Sequence, residues 1–427
     1  MIHPAEQPCL VYADAQGNIT DFQDLHAAGM SAGNFLLPSK NDFIPLPEGS
    51  ELFILPGRLP IGCDVNSGEA LLLEDDPFNT GEKIQAVSAF MSPAHTAILN
   101  SAYQTSNNAP RLPLFAYTAI GWYKDRFWTT AFRSDKDIRQ DSAQFNQTEI
   151  NSKTARKLKQ HKNNRLIQHL GKCCLTYACP AARNYFLGRW EAPLPTSPVC
   201  NARCVGCISL QTSGKCSATQ DRIQFVPTPA EISEIAIPHL QKAEDAIVSF
   251  GQGCEGEPLL QADTIEKAII AIRKKCARGT INLNSNASLP QAVKRLAGAG
   301  LDSLRVSLNS AQEHYHRNYY RPKNFSLSDV LESIQVMKEA NKFVSLNYFI
   351  LPGFTDSTKE FDALCALLNT CQPDRIQLRN LNIDPEWYLQ SIDFDQSIPS
   401  MGMRNWMQKI KNNFPELQFG YYNPAIH

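Results

Sequence analysis

From Leu194 onward, short apolar runs at about 194–199, 246–250, 280–284, 303–308, 343–350 and 375–379 alternate with amphipathic stretches, the pattern of strands and helices in a parallel sheet. Helix starts are marked chemically. Thr228-Pro229-Ala-Glu231 sets a cap residue before a proline at the first helical position, Asp263-Thr-Ile-Glu266 has capping-box spacing with Asp263 as the cap, and Ser357-Thr-Lys-Glu360 repeats it. Ile265, Ala268, Ile269 and Ile272 recur at i, i+3, i+4, i+7 and so predict a helix face turned to the sheet. Before about residue 135 the pattern is different, with short strand-like runs broken by turn formers. Cys9 to Phe22 contains Gln16-Gly17-Asn18, Glu51 to Leu55 ends at Pro56-Gly57, and Glu69 to Leu73 lies between turn residues. Leu114 to Tyr123 and Arg126 to Phe132, joined at Lys124-Asp125, predict a hairpin, and one helix is expected near Pro93 to Tyr103.

These patterns predict four regions: a β-rich domain over 1–150, a basic cysteine-containing linker over 151–190, a six-unit α/β domain over 191–385 and a helical tail over 386–427. The composition is that of a globular chain, with 427 residues, 43% apolar, and 41 Lys+Arg against 42 Asp+Glu. No stretch approaches the ~18–20 apolar residues of a membrane helix. The start, Met-Ile-His-Pro-Ala-Glu, lacks a basic stretch followed by an apolar run, so the cytoplasm is the expected location. Thirteen cysteines, an odd number, favour metal or redox use over a disulfide framework. His26 and His95 are each isolated and are read as satisfied by the fold.

Between Ile150 and Trp190 stand nine Lys/Arg and no Asp or Glu, which leaves 32 basic against 42 acidic side chains elsewhere. Such a patch suits a phosphate backbone or an acidic partner. The favoured reading is a solvated helix from about Ser152 to His169 that links the domains and lies across the second one, because aromatic residues are absent until Tyr177 and Tyr185. The same segment holds Cys173, Cys174 and Cys179. Their spacing matches no fixed ligation signature, so they are read as packed thiols, with an auxiliary metal, helped by Cys216 or Cys254, as the alternative.

The strongest chemical signal is Cys200-Asn-Ala-Arg-Cys204-Val-Gly-Cys207. A cubane iron–sulfur cluster takes four thiolates, so three close together leave one iron open. Zinc sites close four ligands with paired Cys or His, and the nearest downstream histidine is His239. C-x3-C-x2-C at the head of an alternating strand–helix pattern resembles the radical S-adenosylmethionine (radical SAM) superfamily, over roughly the second half of the chain. That resemblance implies an α/β fold, a partial (β/α)6 radical SAM barrel, here preceded by the smaller β-rich N-terminal domain. It implies a 4Fe-4S cluster on Cys200, Cys204 and Cys207, S-adenosyl-L-methionine as the second cofactor, cleavage to a 5′-deoxyadenosyl radical, and an electron donor such as flavodoxin or ferredoxin.

The strand ends supply further matches, and in parallel barrels the chemistry sits there. Gly256-Glu257-Pro258 after the second strand is similar to the family's Gly-Gly-Glu-Pro motif, which implies that Glu257 receives the cofactor's amino group. Asn284 and Ser285 end the third strand and suit ribose hydroxyls. Ser307 and Asn309 resemble the strand end that meets ribose and the methionine carboxylate, with Arg321, or else Arg317, as the carboxylate clamp. Tyr348 to Gly353 resembles the adenine-contacting strand, and Arg379 either faces substrate or forms a structural ion pair. One departure is Gly206, where the family commonly has an aromatic. The leading expectation is a radical enzyme with an unidentified substrate. The alternatives are an RNA-modifying enzyme docking through 153–172 and a cluster-bearing electron carrier or sensor, the last opposed by the cofactor-shaped set of strand-end residues.

Overall fold

The computed structural model describes residues 7–211, 214 and 216–426. Two compact units divide the chain: Met1–Ser142 with Phe349–Asp362 and Leu378–Pro415, and Ala143–Tyr348 with Ala363–Gln377 and Glu416–His427. This is not the division expected from the sequence. The basic segment belongs with the parallel sheet, and 349–362 and 378–415 belong with the N-terminal strands.

The first unit is built on an eleven-stranded antiparallel sheet with a smaller three-stranded one. Its hairpin pairs Trp122 with Phe127 and Tyr123 with Arg126, and both turn residues, Lys124 (φ 49°) and Asp125 (φ 57°), adopt the left-handed conformation a two-residue hairpin demands. The expected helix near Pro93 to Tyr103 is instead three strands, His95–Ala97, Asn100–Ser101 and Tyr103–Thr105. Ala94 at φ 66° stops a helix directly after Pro93, and His95 pairs with Arg133 in the sheet. His95 is satisfied locally, its Nδ1 lying 3.0 Å from the Pro93 carbonyl. Leu55, Ile61, Tyr103 and Leu112 centre the core of this unit. Beside it, Arg58 and Asp384 form a buried ion pair at 2.9 Å. Gly353 lies in the turn expected of it after the fifth strand, and its lack of a side chain serves a second contact. At φ +91° its missing Cβ leaves room for Ala32, whose N–H donates to the Pro352 carbonyl at 3.1 Å.

The second unit carries the parallel sheet. Its strands, in spatial and chain order, are Glu191–Pro193, Ile247–Phe250, Thr280–Ser285, Ser303–Leu308, Phe343–Ile350, Arg375–Asn380 and Gln418–Gly420, and the chain leaves this unit partway along the fifth and sixth. The first strand precedes the predicted 194–199. Pro195 and Pro198 remove donors from that run, and the N–H groups of Thr196 and Ser197 donate to the Glu255 carboxylate (2.7 and 2.9 Å) rather than to a strand. The seventh strand corrects the expectation of a wholly helical 386–427, since Arg375 pairs in parallel register with Gln418.

Two helices replace the single one expected over 152–169, α1 Gln147–Gln160 and α2 Arg165–Leu175, and α3 Pro180–Leu187 follows them. Asn164 ends the first reading, because its side chain caps the Ile167 N–H at 3.0 Å and starts α2. Several of their charges are engaged within the unit. Arg165 pairs with Glu231, Lys172 with Asp221 and Lys153 with Glu149, while Lys157 sits 3.7 Å above the Tyr185 ring and burial pushes it down to about 8. Helix α4, Pro229–Lys242, begins with the Thr228/Glu231 capping box. Helix α5, Ala262–Arg273, buries Ile265, Ala268, Ile269 and Ile272 completely, but Asp263 is not its cap. Asp263 lies inside the first turn and pairs with Arg295. Helices α6 Pro290–Ala299, α7 Glu313–Tyr320, α8 Leu327–Glu339 and α9 Thr358–Cys371 complete the alternation. Among the described residues no helix is long and apolar enough to cross a membrane.

One face of the parallel sheet is polar and internally bonded. Ser249 donates to Glu191, Asn282 to Asn284, Ser303 to Asn282, and Gln377 to Asn423, at 2.8–3.2 Å. The Asn423 amide in turn reaches Glu191 and Asn284, both at 3.4 Å. The segment following the seventh strand therefore runs back to the first and third.

Candidate active site

The loop after the first strand brings Cys200, Cys204 and Cys207 together without regular secondary structure. It is held by its backbone. Arg203 N–H donates to the Tyr320 carbonyl (2.8 Å) and Val205 N–H to Tyr319 (3.0 Å), so the end of α7 fixes one side. On the other side the Asn201 side chain bridges Asn286 (2.9 Å) and Ser288 (2.8 Å). The three thiols lie close enough to act on one another's ionisation. Burial, then Glu257 and Cys207, push Cys200 up to about 11, and burial with both neighbouring thiols pushes Cys204 well above its usual range. Arg222 opposes this, its guanidinium donating to the Cys207 sulfur at 3.4 Å and to the Ser209 hydroxyl at 3.1 Å. The thiols are half-buried, and a cationic iron cluster deprotonates on binding the two that burial holds protonated, Cys200 and Cys204, so the donor set fits such a group.

The Gly251–Pro258 loop braces that site. A Cβ on Gly256 would lie 2.0 Å from the Val199 carbonyl oxygen and 3.2 Å from the Cys200 nitrogen, so only glycine permits this approach. The backbones are joined there, Gly256 N–H donating to Ser197 O (2.7 Å) and Glu257 N–H to Val199 O (2.9 Å). Glu257 is 3% exposed, and burial pushes its carboxyl up to about 7. It accepts from the Ser285 hydroxyl (2.5 Å), Leu259 N–H (3.0 Å) and Asn286 N–H (2.9 Å). Three acceptances leave one lone-pair direction of the carboxylate for a ligand ammonium.

The structure treats the remaining sequence candidates unevenly. Ser285 supports Glu257 instead of pointing to a ribose, and the Asn284 amide donates to Gly251 O at 2.8 Å. Ser307 lies half-buried on the same strand alternation as Ser303 and Arg305. Asn309 is fully buried and donates to the Tyr315 carbonyl at 3.1 Å, a contact within the fold. Arg321 is exposed in the left-handed conformation that ends α7, one residue beyond the carbonyl that holds Arg203, and Arg317 is also exposed. Arg379 falls in the first unit. Of the auxiliary cysteines, Cys173 meets Cys254 and His169, whereas Cys174 packs on the Thr154 hydroxyl at 3.5 Å and Cys216 bonds the adjacent Ser217 carbonyl.

Two residues that matter were missed. Glu255, two residues before Glu257, gathers the N–H groups of Thr196, Ser197 and Gln252, and burial pushes it to about 7. Its neighbour Glu257 and the two prolines in 194–199 were the available signals. Arg222 carried no local signal, being a lone arginine fifteen residues after the cysteine it contacts.

Residues 194–365 match the model of the radical SAM superfamily. Over 162 residues the chain is 30% identical to a GTP 3′,8-cyclase of Lactiplantibacillus plantarum, covering 37% of this chain and 44% of that one, so it spans less than half the length of this curated relative. Among solved structures, a radical SAM methyltransferase from Sphaerobacter thermophilus aligns over 48% of this chain and 63% of its own, with 15% identity and a TM-score of 0.35. Streptococcus suis SuiB bound to S-adenosylmethionine aligns over 61% and 55%, with 12% identity and a TM-score of 0.38. Likeness at that level carries no argument about chemistry.

Proposed function

We propose that this chain, which belongs to the radical SAM superfamily through residues 194–365, is an enzyme that holds a 4Fe-4S cluster on Cys200, Cys204 and Cys207 and S-adenosylmethionine beside Glu257. What the bound pair supplies is one electron for breaking the sulfonium, giving methionine and a 5′-deoxyadenosyl radical that acts on a substrate yet to be identified. The protein's own part is positioning. Arg222 donates to the Cys207 sulfur, a contact of the kind that raises a cluster's potential. Glu257, oriented by Ser285 and two backbone N–H groups, receives an ammonium. Glu255 and Gly256 hold the segment entering Cys200 against the loop that carries Glu257. A reductant must reach the site, and a flavodoxin or ferredoxin is the class of donor proposed.

The observation that carries this reading is the contact of Gly256 with Val199 and Cys200, which unites the thiol loop and the Glu257 loop into one site that tolerates no side chain between them. The RNA-modifying alternative has less support, because Arg165, Lys172, Lys153 and Lys157 of the basic segment are engaged within the fold. The test is anaerobic. Reconstituted, reduced protein given S-adenosylmethionine should release 5′-deoxyadenosine slowly without substrate, and Glu257→Gln should weaken cofactor binding by about 1.5–3 kcal/mol, tenfold or more, with iron content unchanged. Wild-type protein with an intact, reducible cluster that yields no deoxyadenosine would overturn the enzyme reading in favour of an electron carrier.

A further inference from the structure

Outside the Cys200 loop, two thiols and an imidazole converge. His169 and Cys173 stand four residues apart on α2 and therefore share one helix face. Cys254 comes from the loop after the second strand of the sheet, and the ligand atoms of all three lie within 4.8 Å of one another. The Cys173 sulfur is 3.5 Å from His169 Nε2. A tetrahedral zinc ion with Zn–S of about 2.3 Å and Zn–N of about 2.0–2.1 Å sets its sulfur and nitrogen ligands about 3.6 Å apart, so this edge already has coordination length. Both cysteines are buried, at 2% and 5% exposure, while His169 is half-buried and stands edge-on to Phe225, with the ring planes at 90°. Both elements are anchored to the segment carrying Asp221 and Ile223. Lys172 of α2 pairs with Asp221, and the Cys254 carbonyl accepts from Ile223 N–H at 2.8 Å.

We infer that His169, Cys173 and Cys254 form a second metal site, for a zinc-like divalent cation. Two soft thiolates and one imidazole select a borderline-soft ion over magnesium or calcium. Binding releases the two thiol protons to solvent, and the two thiolates neutralise the ion's two positive charges. The fourth position is left for water. The metal would tie α2 to the loop in which Cys254 directly precedes Glu255 and Gly256, the residues that brace the entry to Cys200. Its role is to hold these two elements together, because the buried Cys173 and Cys254 come from separate parts of the chain. This site stands whether or not the radical chemistry does.

The experiment uses the reconstituted holoprotein, incubated anaerobically under thiol-reducing conditions with micromolar zinc, desalted, and analysed for both zinc and iron. The wild type should retain about one zinc per chain beside its iron. Cys173→Ser and Cys254→Ser should each lose most of the zinc with iron unchanged, whereas Cys174→Ser should keep it. Cobalt in place of zinc should show thiolate-to-metal charge-transfer absorption that is lost in the same two variants. Should either serine variant fail to fold, His169→Asn at a half-buried position provides the same loss in a protein whose circular dichroism matches wild type. A wild type that retains no zinc, wild-type zinc content in Cys173→Ser and Cys254→Ser, or a Cys173–Cys254 disulfide formed in preference to the metal would each overturn the assignment.

Discussion

Replacing Gly256 by alanine tests the central contact of the site. The added Cβ would lie 2.0 Å from Val199 O and 2.4 Å from Val199 C, whereas ordinary contact begins at 3.4 Å, so the two segments must part by roughly 1.4 Å. Both obstructing atoms are backbone, so a rotamer change does not relieve the clash. The bonds from Gly256 N–H to Ser197 O (2.7 Å) and from Glu257 N–H to Val199 O (2.9 Å) would then exceed hydrogen-bond length. Leaving these buried groups unmatched costs about 1–3 kcal/mol each, or about 2–6 kcal/mol together. For a unit of this size that lowers Tm by roughly 4–24 °C. A misplacement on the order of 1 Å at a reacting centre costs about a hundredfold in rate, so deoxyadenosine release should fall by at least that factor. Gly298 in α6 is the control, because a Cβ there meets nothing within 4 Å and alanine should be neutral or stabilise by about 0.5–1 kcal/mol. Thermal melts, iron content and deoxyadenosine yield on the two variants decide the matter. Gly256→Ala with wild-type values in all three would refute the claim that this approach forms the site.

Two further expectations follow from buried charges. Burial raises Glu257 from 4.5 to about 7, so the group adds stability that is complete below the unfolded value and is lost as pH climbs through about 7, while only its ionised form pairs with an ammonium. Titration calorimetry should therefore find S-adenosylmethionine affinity rising about tenfold between about pH 6 and pH 8 in the wild type and flat in Glu257→Gln; parallel profiles would exclude Glu257 as the ammonium partner. In the first unit, Arg58→Met leaves Asp384 buried without its cation and should cost about 3–5 kcal/mol by urea denaturation, with iron content unchanged; a loss below about 1 kcal/mol would show that the backbone N–H donors around Asp384 suffice.

The chemistry was most legible where a motif is local. Cys200, Cys204 and Cys207, and the Gly256-Glu257-Pro258 turn, state their geometry within a few residues, and the second to sixth strands follow from apolar periodicity. Periodicity failed where a carboxylate from elsewhere took over a segment's N–H groups, as Glu255 does for Thr196 and Ser197, turning an apolar run into a loop. The helix expected near Pro93 to Tyr103 also failed, because His95, Thr96 and Ala97 pair with Arg133, Phe132 and Ala131 in the sheet. The convergence of His169 with Cys254 joins residues 85 positions apart and has no local signal, although Cys254 was among the partners considered for Cys173. Ser285 and Asn309 stand at strand ends, but their partners, Glu257 and the Tyr315 carbonyl, were not legible, because sequence shows which residues end a strand and not which neighbour their side chains find.

The Asn423 amide meets Glu191 across 232 residues of chain. In a protein made from its N-terminus, the first six strands can align long before the seventh exists, yet Glu191 and Gln377 lack this partner and the sixth strand keeps an open edge until residues 418–423 have been synthesised. Completion of the parallel sheet is therefore a late event in the life of each molecule. A chain cut before residue 418 should keep all three thiols of the Cys200 loop but leave its sheet unfinished, with an edge open to aggregation or proteolysis.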